Sequence, residues 1–203
     1  MLPIQLKTEG RLALVVGAGA VGLRKAKAWR QAGGEVRFVD PTVDAELDGE
    51  LIREPFSPRH LEDVTAVFAC ATEAVNEDVV LTARANGILA CDAIRPERGD
   101  FTLPAVVRRG DLSFAVGTNG AAPALAKKLA ERLDEQFDEA YTIWTRILGT
   151  LRPHIQRVDL DPATRRDLYL ALTDFSWLDR LRQVGPEATE VEMLRFIAGA
   201  DPG

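Results

Sequence analysis

The chain has 203 residues, of which 46% are hydrophobic and 28% charged, and its formal net charge is −6. That is enough apolar material for one large domain or two small ones. The acidic balance argues against nucleic acid as the main partner, no apolar run reaches the roughly 20 residues of a bilayer span, and the N-terminus lacks a signal-peptide pattern, so the expectation is a cytoplasmic protein that binds neither nucleic acid nor membrane.

"LALVV" at residues 12–16 is a continuous apolar run ended by a glycine-rich turn, which predicts a strand buried on both faces. "GLRKAKAWRQAGG" follows as a helix with a glycine stop, and "EVRFVD" as a second strand. The alternation continues with "AVFACAT" as a strand, "NEDVVLTARANG" as a helix and "ILACDAI" as a strand. Strands alternating with helices predict an α/β fold with a Rossmann-like parallel sheet over residues 1–100.

Within that region Gly17, Gly19 and Gly22 form G-x-G-x-x-G between the first strand and the first helix. Gly17 would permit the tight turn, Gly19 a close approach of pyrophosphate to backbone, and Gly22 close helix–sheet packing. The N–H groups of Ala20 and Val21 would face the charge. Asp40, ending the second strand ahead of Pro41 and Thr42, is placed to accept from ribose hydroxyls and to repel a 2′-phosphate, so the expected cofactor is NAD rather than NADP. The alternative for Asp40 is a turn cap. Thr72 and Asn76 follow another strand end, where they could meet the cofactor or simply start the next helix. Cys70 and Cys91 lie in apolar stretches and read as buried free thiols.

After Arg95 the pattern changes. "DFTLPAVVRRGDLSFAVGT" predicts a hairpin turning at "RRGD", and "APALAKKLAERLDEQFDEAYTIWTRILGTLR" a long amphipathic helix. Together these predict a small α+β segment over 101–150, with more apolar surface than it can bury alone, and hence a dimer. A helical region is expected over 151–203, with Asp161 as an N-cap, Pro162 at N1 and Gly199 as C′. After a strand ending at Thr118, the N–H groups around residues 119–122, including Asn119, Gly120 and Ala121, could form an anion nest near Lys127 or Lys128, or a plain strand-to-helix connection. His60 and His154 are far apart and show no ligand spacing, so no metal site is expected.

Taken in order, "LPIQL", "VVGAGAVGLRKAKAW", "CATEAVNEDV" and "GDFTLPAVVRRGDLSFAVGTNGAAPALAKKLAERL" resemble the precorrin-2 dehydrogenase family, which includes bifunctional dehydrogenase/ferrochelatases and the N-terminal module of siroheme synthase. The resemblance is close over residues 2 to about 135. It implies NAD-dependent oxidation of precorrin-2 to sirohydrochlorin, a homodimer built through the middle segment, and basic residues Arg108, Arg109, Lys127 and Lys128 facing the substrate carboxylates. It also implies a functional aspartate seven residues before the Phe of "DF", a position held here by Ile94. Asp92 and Asp100 are the nearest acids that could replace it, each with a structural alternative. Two further readings stand beside it: a regulatory NAD-binding module, which would share the first 95 residues, and a family member that has lost catalysis and only binds tetrapyrrole.

Overall fold

The computed structural model describes residues 1–44 and 46–199. The chain divides into two compact units, Met1–Leu103 and Pro104–Gly203.

The first unit is a five-stranded parallel sheet with helices on both faces. In chain order it contains β1 (Leu12–Val16), α1 (Ala20–Gln31), β2 (Glu35–Val39), β3 (Glu50–Ile52), β4 (Val64–Ala69), α2 (Glu73–Ala85) and β5 (Leu89–Asp92), and the strand order is β3-β2-β1-β4-β5. Because β1 and β4 are central, both of their faces are covered, and Ala13, Leu14, Val15, Val67 and Phe68 are all 0% exposed. Alternate residues serve opposite faces. Leu14, Val16, Val67 and Ala69 pack with Val79, Val80 and Ala83 of α2, whereas Ala13, Val15, Phe38 and Phe68 pack with Ala26 and Trp29 of α1. Trp29 and Phe68 meet edge to face at 5.9 Å.

Connections leave β1 toward β2 on one side, and the chain then returns to place β4 on the other side of β1. The loops after β1 and β4 therefore diverge, and the crevice between them is the place such sheets offer a ligand. β3 was not expected: three residues are too few to carry a period. α2 starts at Glu73, three residues before the predicted start, and Thr72 takes the N-cap position. His60 is 4% exposed and packs edge to face with Phe56.

The second unit opens with the predicted hairpin, β6 (Ala105–Arg109) paired antiparallel with β7 (Leu112–Val116). Gly110 and Asp111 form its two-residue turn, and Gly110 has the positive φ of +59° that such turns need. Helices follow as α3 (Pro123–Gln136), α4 (Glu139–Arg157), α5 (Pro162–Leu172), α6 (Phe175–Val184) and α7 (Pro186–Ala198).

The single long helix expected from the apolar spacing is broken at Phe137, whose φ of −105° and ψ of 94° are extended, and α4 starts after Asp138 in the N-cap position. The break turns the Phe137 ring onto Phe114 at 4.4 Å and Tyr141 at 4.7 Å, a tertiary gain that local periodicity does not reveal. α4 runs continuously through residue 150. Its residues Trp144, Ile147, Leu151 and Ile155 form one core with Leu168, Leu172, Leu178, Leu181, Met193 and Ile197. Asp161 caps α5 as expected, accepting from Ala163 N at 2.9 Å and Thr164 N at 3.1 Å. Gly199 ends α7 with φ −73°, a helical value, and not the left-handed residue anticipated.

Candidate cofactor site

The glycine-rich loop has two crowded glycines and one open one. A Cβ on Gly17 would lie 2.6 Å from the Cys70 carbonyl carbon, and Gly17 has φ +95°. A Cβ on Gly22 would lie 2.0 Å from the Gly17 carbonyl oxygen. Gly19, by contrast, would meet nothing within 4 Å. The space beyond Gly19 is therefore open on the ligand side. Gly19, Ala20 and Val21 are exposed there, and the first-turn N–H groups of α1 have no carbonyl one turn back inside the helix to bond. That combination fits a dinucleotide pyrophosphate.

Asp40 is 8% exposed at the end of β2. Its Oδ2 accepts from Ala18 N at 2.8 Å, and its Oδ1 accepts from Thr42 N and Thr42 Oγ1, both at 2.8 Å, and from Val43 N at 3.3 Å. Burial pushes the carboxyl up, but these donors outweigh it and hold Asp40 below the usual carboxylate range. The turn-cap reading is thus realised, and it coexists with a remaining acceptor site on Oδ2. Pro41 and Thr42 are exposed beside it.

Across the crevice, Thr72 is exposed and its side chain makes no cap bond, leaving its hydroxyl available. Asn76 is different: at 0% exposure it accepts from Ala71 N at 2.9 Å and donates to Asp92 Oδ1 at 3.2 Å. Both ends of its amide are thus engaged within the protein, one on the loop after β4 and one on β5.

The two candidate acids are also engaged. Asp92, 1% exposed at the end of β5, accepts from Ile94 N at 2.8 Å, Arg95 N at 3.0 Å and Arg98 Nε at 2.9 Å besides Asn76. Burial raises its carboxyl, yet these donors and the Arg98 charge keep it below the usual range. Its strand-end alternative describes this geometry, because a proton acceptor needs an accessible lone pair. Asp100 accepts from Arg84 Nε at 2.8 Å and Ala90 N at 2.9 Å, while its own N–H donates to Ala90 O at 2.7 Å, which clamps the following loop onto β5. Ile94 is 46% exposed. Arg98 was not singled out from sequence. Its signal was a basic residue one short turn beyond a strand-end acid, too common a pattern to read alone.

Both cysteines are free. Burial pushes the Cys70 thiol up to about 12 and Cys91 upward as well, so neither is a nucleophile near neutrality. Among the described residues no group of three or more His, Cys, Asp or Glu is gathered to hold a metal ion.

In the second unit the expected anion nest takes another form. Asn119 and Gly120 have φ of +52° and +85°, the left-handed pair of a type I′ turn, and the Ala121 N–H closes it onto Thr118 O at 3.0 Å. Thr118 Oγ1 accepts from Ala122 N at 3.1 Å. Two of the N–H groups assigned to an anion are therefore satisfied internally. Arg109 is likewise committed, because its guanidinium bonds the Phe137 carbonyl, the Asp134 carbonyl at 2.6 Å and the Asp134 carboxylate at 2.8 Å, closing the end of α3. Lys127 pairs with Glu131 at 3.7 Å along an exposed helix face. Arg108 and Lys128 are exposed.

Residues 4–105 match a domain family described as "Putative NAD(P)-binding". The precorrin-2 dehydrogenase of Priestia megaterium is 33% identical over 183 residues, covering 86% of this chain and 90% of that protein. The chain belongs to the precorrin-2 dehydrogenase family. A solved structure titled "SirC, precorrin-2 dehydrogenase" superposes with a TM-score of 0.79 at 29% identity, covering 98% of this chain and all of that one. The siroheme synthase of Nitrosomonas eutropha is 33% identical over 168 residues, and the match spans 76% of this chain but only 35% of that longer protein. No helix among the described residues is long and apolar enough to cross a membrane.

Proposed function

We propose that this protein oxidises precorrin-2 to sirohydrochlorin with NAD as hydride acceptor, as a homodimer in the cytoplasm. The observation that carries the reading is the open approach to Gly19 beside Asp40, in a chain that matches 90% of the length of a precorrin-2 dehydrogenase. NAD, when bound, supplies a two-electron acceptor: the macrocycle gives up a hydride and a proton, and NADH and sirohydrochlorin result. The loop N–H groups hold the pyrophosphate, and Asp40 offers its spare Oδ2 lone pair to the adenosine ribose while rejecting a 2′-phosphate by charge. Thr72 offers a hydroxyl at the crevice rim.

Few reactive side chains are needed, because positioning and the extended conjugation of the product drive the step. Asp92 and Asp100 serve as architecture here, and solvent takes the proton. Arg108 and Lys128 are the basic residues available to substrate carboxylates; Arg109 and Lys127 contribute through α3 instead. Chelation of iron is weak in this reading, since Ile94 occupies the family's aspartate position and Asp92 is enclosed. A second copy would cover Val106, Leu125 and Leu129, which are 45%, 51% and 39% exposed.

Incubating the purified protein with precorrin-2 and NAD tests the reading, with NADH absorbance as the readout. NADH should accumulate in proportion to sirohydrochlorin. NAD binding without any NADH would leave the tetrapyrrole-binding homologue as the better account, and NAD binding with no tetrapyrrole binding would favour the regulatory module.

A further inference from the structure

We infer that Asp92 is a positioning residue for the dinucleotide: through Asn76 it fixes the Cys70–Ala71 peptide against which the Gly17 turn is packed. This rests on the reading of the glycine-rich loop as an NAD site.

The first link is Gly17. Its missing Cβ would lie 2.6 Å from the Cys70 carbonyl carbon and 2.7 Å from Ala71 N, so the turn and the peptide after β4 touch with no slack. Any shift of that peptide displaces the turn, and with it the N–H groups that would receive the pyrophosphate.

The second link is the Asn76 amide. An amide has one accepting and one donating end of nearly the same shape, and only the accepting end can serve an N–H. Ala71 N–H is met by Oδ1 at 2.9 Å, which leaves Nδ2 pointing to Asp92 Oδ1 at 3.2 Å. A carboxylate only accepts, so it admits one orientation of the amide and forbids the flipped one. In the flipped state, two donors would face each other at Ala71.

The third link is what keeps that carboxylate ionised inside the protein. Ile94 N, Arg95 N and Arg98 Nε supply three further donors at 2.8, 3.0 and 2.9 Å, and Arg98 itself is steadied by Glu77 at 3.3 Å. An acid poised to take a proton from substrate would not be so enclosed. Asp92 is instead the fixed end of a brace running Arg98–Asp92–Asn76–Ala71–Gly17, behind the loop rather than in front of it.

Asp92→Ala and Asn76→Ala test the brace by NAD calorimetry, which needs no precorrin-2, and by amide hydrogen exchange at Ala71; Asp92→Asn would not serve, because its amide oxygen can still accept from Asn76 in place of Oδ1. Each variant should bind NAD about tenfold more weakly and lose protection at Ala71, while kcat at saturating NAD and its pH profile stay unchanged. Asn76→Ala leaves the Asp92–Arg98 pair intact, so it carries the comparison if Asp92→Ala fails to fold. Unaltered NAD affinity in the folded variants overturns the inference. So does a fall in kcat of about 10²-fold or more for Asp92→Ala with normal NAD binding, the signature of a lost general base. Failure of the unaltered protein to bind NAD would instead remove the cofactor reading on which the brace depends.

Discussion

The N–H of Ala18 donates to the Asp40 carboxylate at 2.8 Å, so the residue that follows β2 also pins the glycine-rich loop that follows β1. Cofactor choice and loop geometry are thereby tied to one side chain. Asp40→Asn should weaken NAD binding about tenfold and narrow the preference over NADP, since both a loop anchor and the repelling charge are lost. Calorimetry with both dinucleotides measures this. Equal affinity of the unaltered protein for NAD and NADP would sink the ribose assignment.

The three loop glycines should respond differently to substitution. Gly17→Ala meets backbone at 2.6 Å in a left-handed conformation, and Gly22→Ala meets the Gly17 carbonyl, so each should destabilise the first unit by roughly 2–5 kcal/mol. Gly19→Leu enters open space at φ −71° and should change stability by no more than about 0.5 kcal/mol while abolishing NAD binding. Urea denaturation beside NAD titration separates the two effects. A Gly19→Leu protein that still binds NAD would place the pyrophosphate elsewhere.

Stability should depend on acid through Asp40 and Asp92. Both carboxyls are held below their usual range in the folded protein, so their contribution is complete above the unfolded value, about 4, and is lost as pH falls through the lower folded values. The urea midpoint should thus be level from pH 7 to about pH 5 and decline below about pH 4, less steeply in Asp40→Asn. A midpoint unchanged down to pH 3 would contradict the hydrogen-bonded geometry of both residues.

Light scattering at micromolar concentration should give the mass of a dimer. Leu125→Glu, at a position 51% exposed in the single chain, should shift it toward monomer without unfolding α3. A monomeric unaltered protein would leave Val106, Leu125 and Leu129 without a partner and end that proposal.

Dehydrogenation and iron insertion should come apart. NADH production is expected to be readily measured and chelation to be slower than in a relative with the family aspartate by about 10²- to 10⁴-fold, the usual cost of one missing general base. Ile94→Asp, at an exposed position two residues beyond β5, should raise chelation. Rapid iron insertion by the unaltered protein would show that the aspartate is dispensable in this chain.

Much of the first unit could be read directly because its determinants are local. Continuous apolar runs specified β1 and β4, and the glycine spacing named the loop, since only a residue without Cβ fits where Gly17 meets Cys70. Asp161 likewise caps α5 with a bond to a residue two positions away. Contacts between distant residues decided the rest. Asp92 and Asn76 lie 16 residues apart, and whether such an acid is a base or a brace depends on donors that only the folded sheet brings to it. Arg109 reads as a free cation until α3 ends beside it, and the 119–122 segment reads as an anion nest until Thr118 takes two of its N–H groups. Charge and hydrogen-bonding capacity are properties of residue types and are legible in a sequence; whether that capacity is still available is a property of the neighbours, and packing alone assigns those.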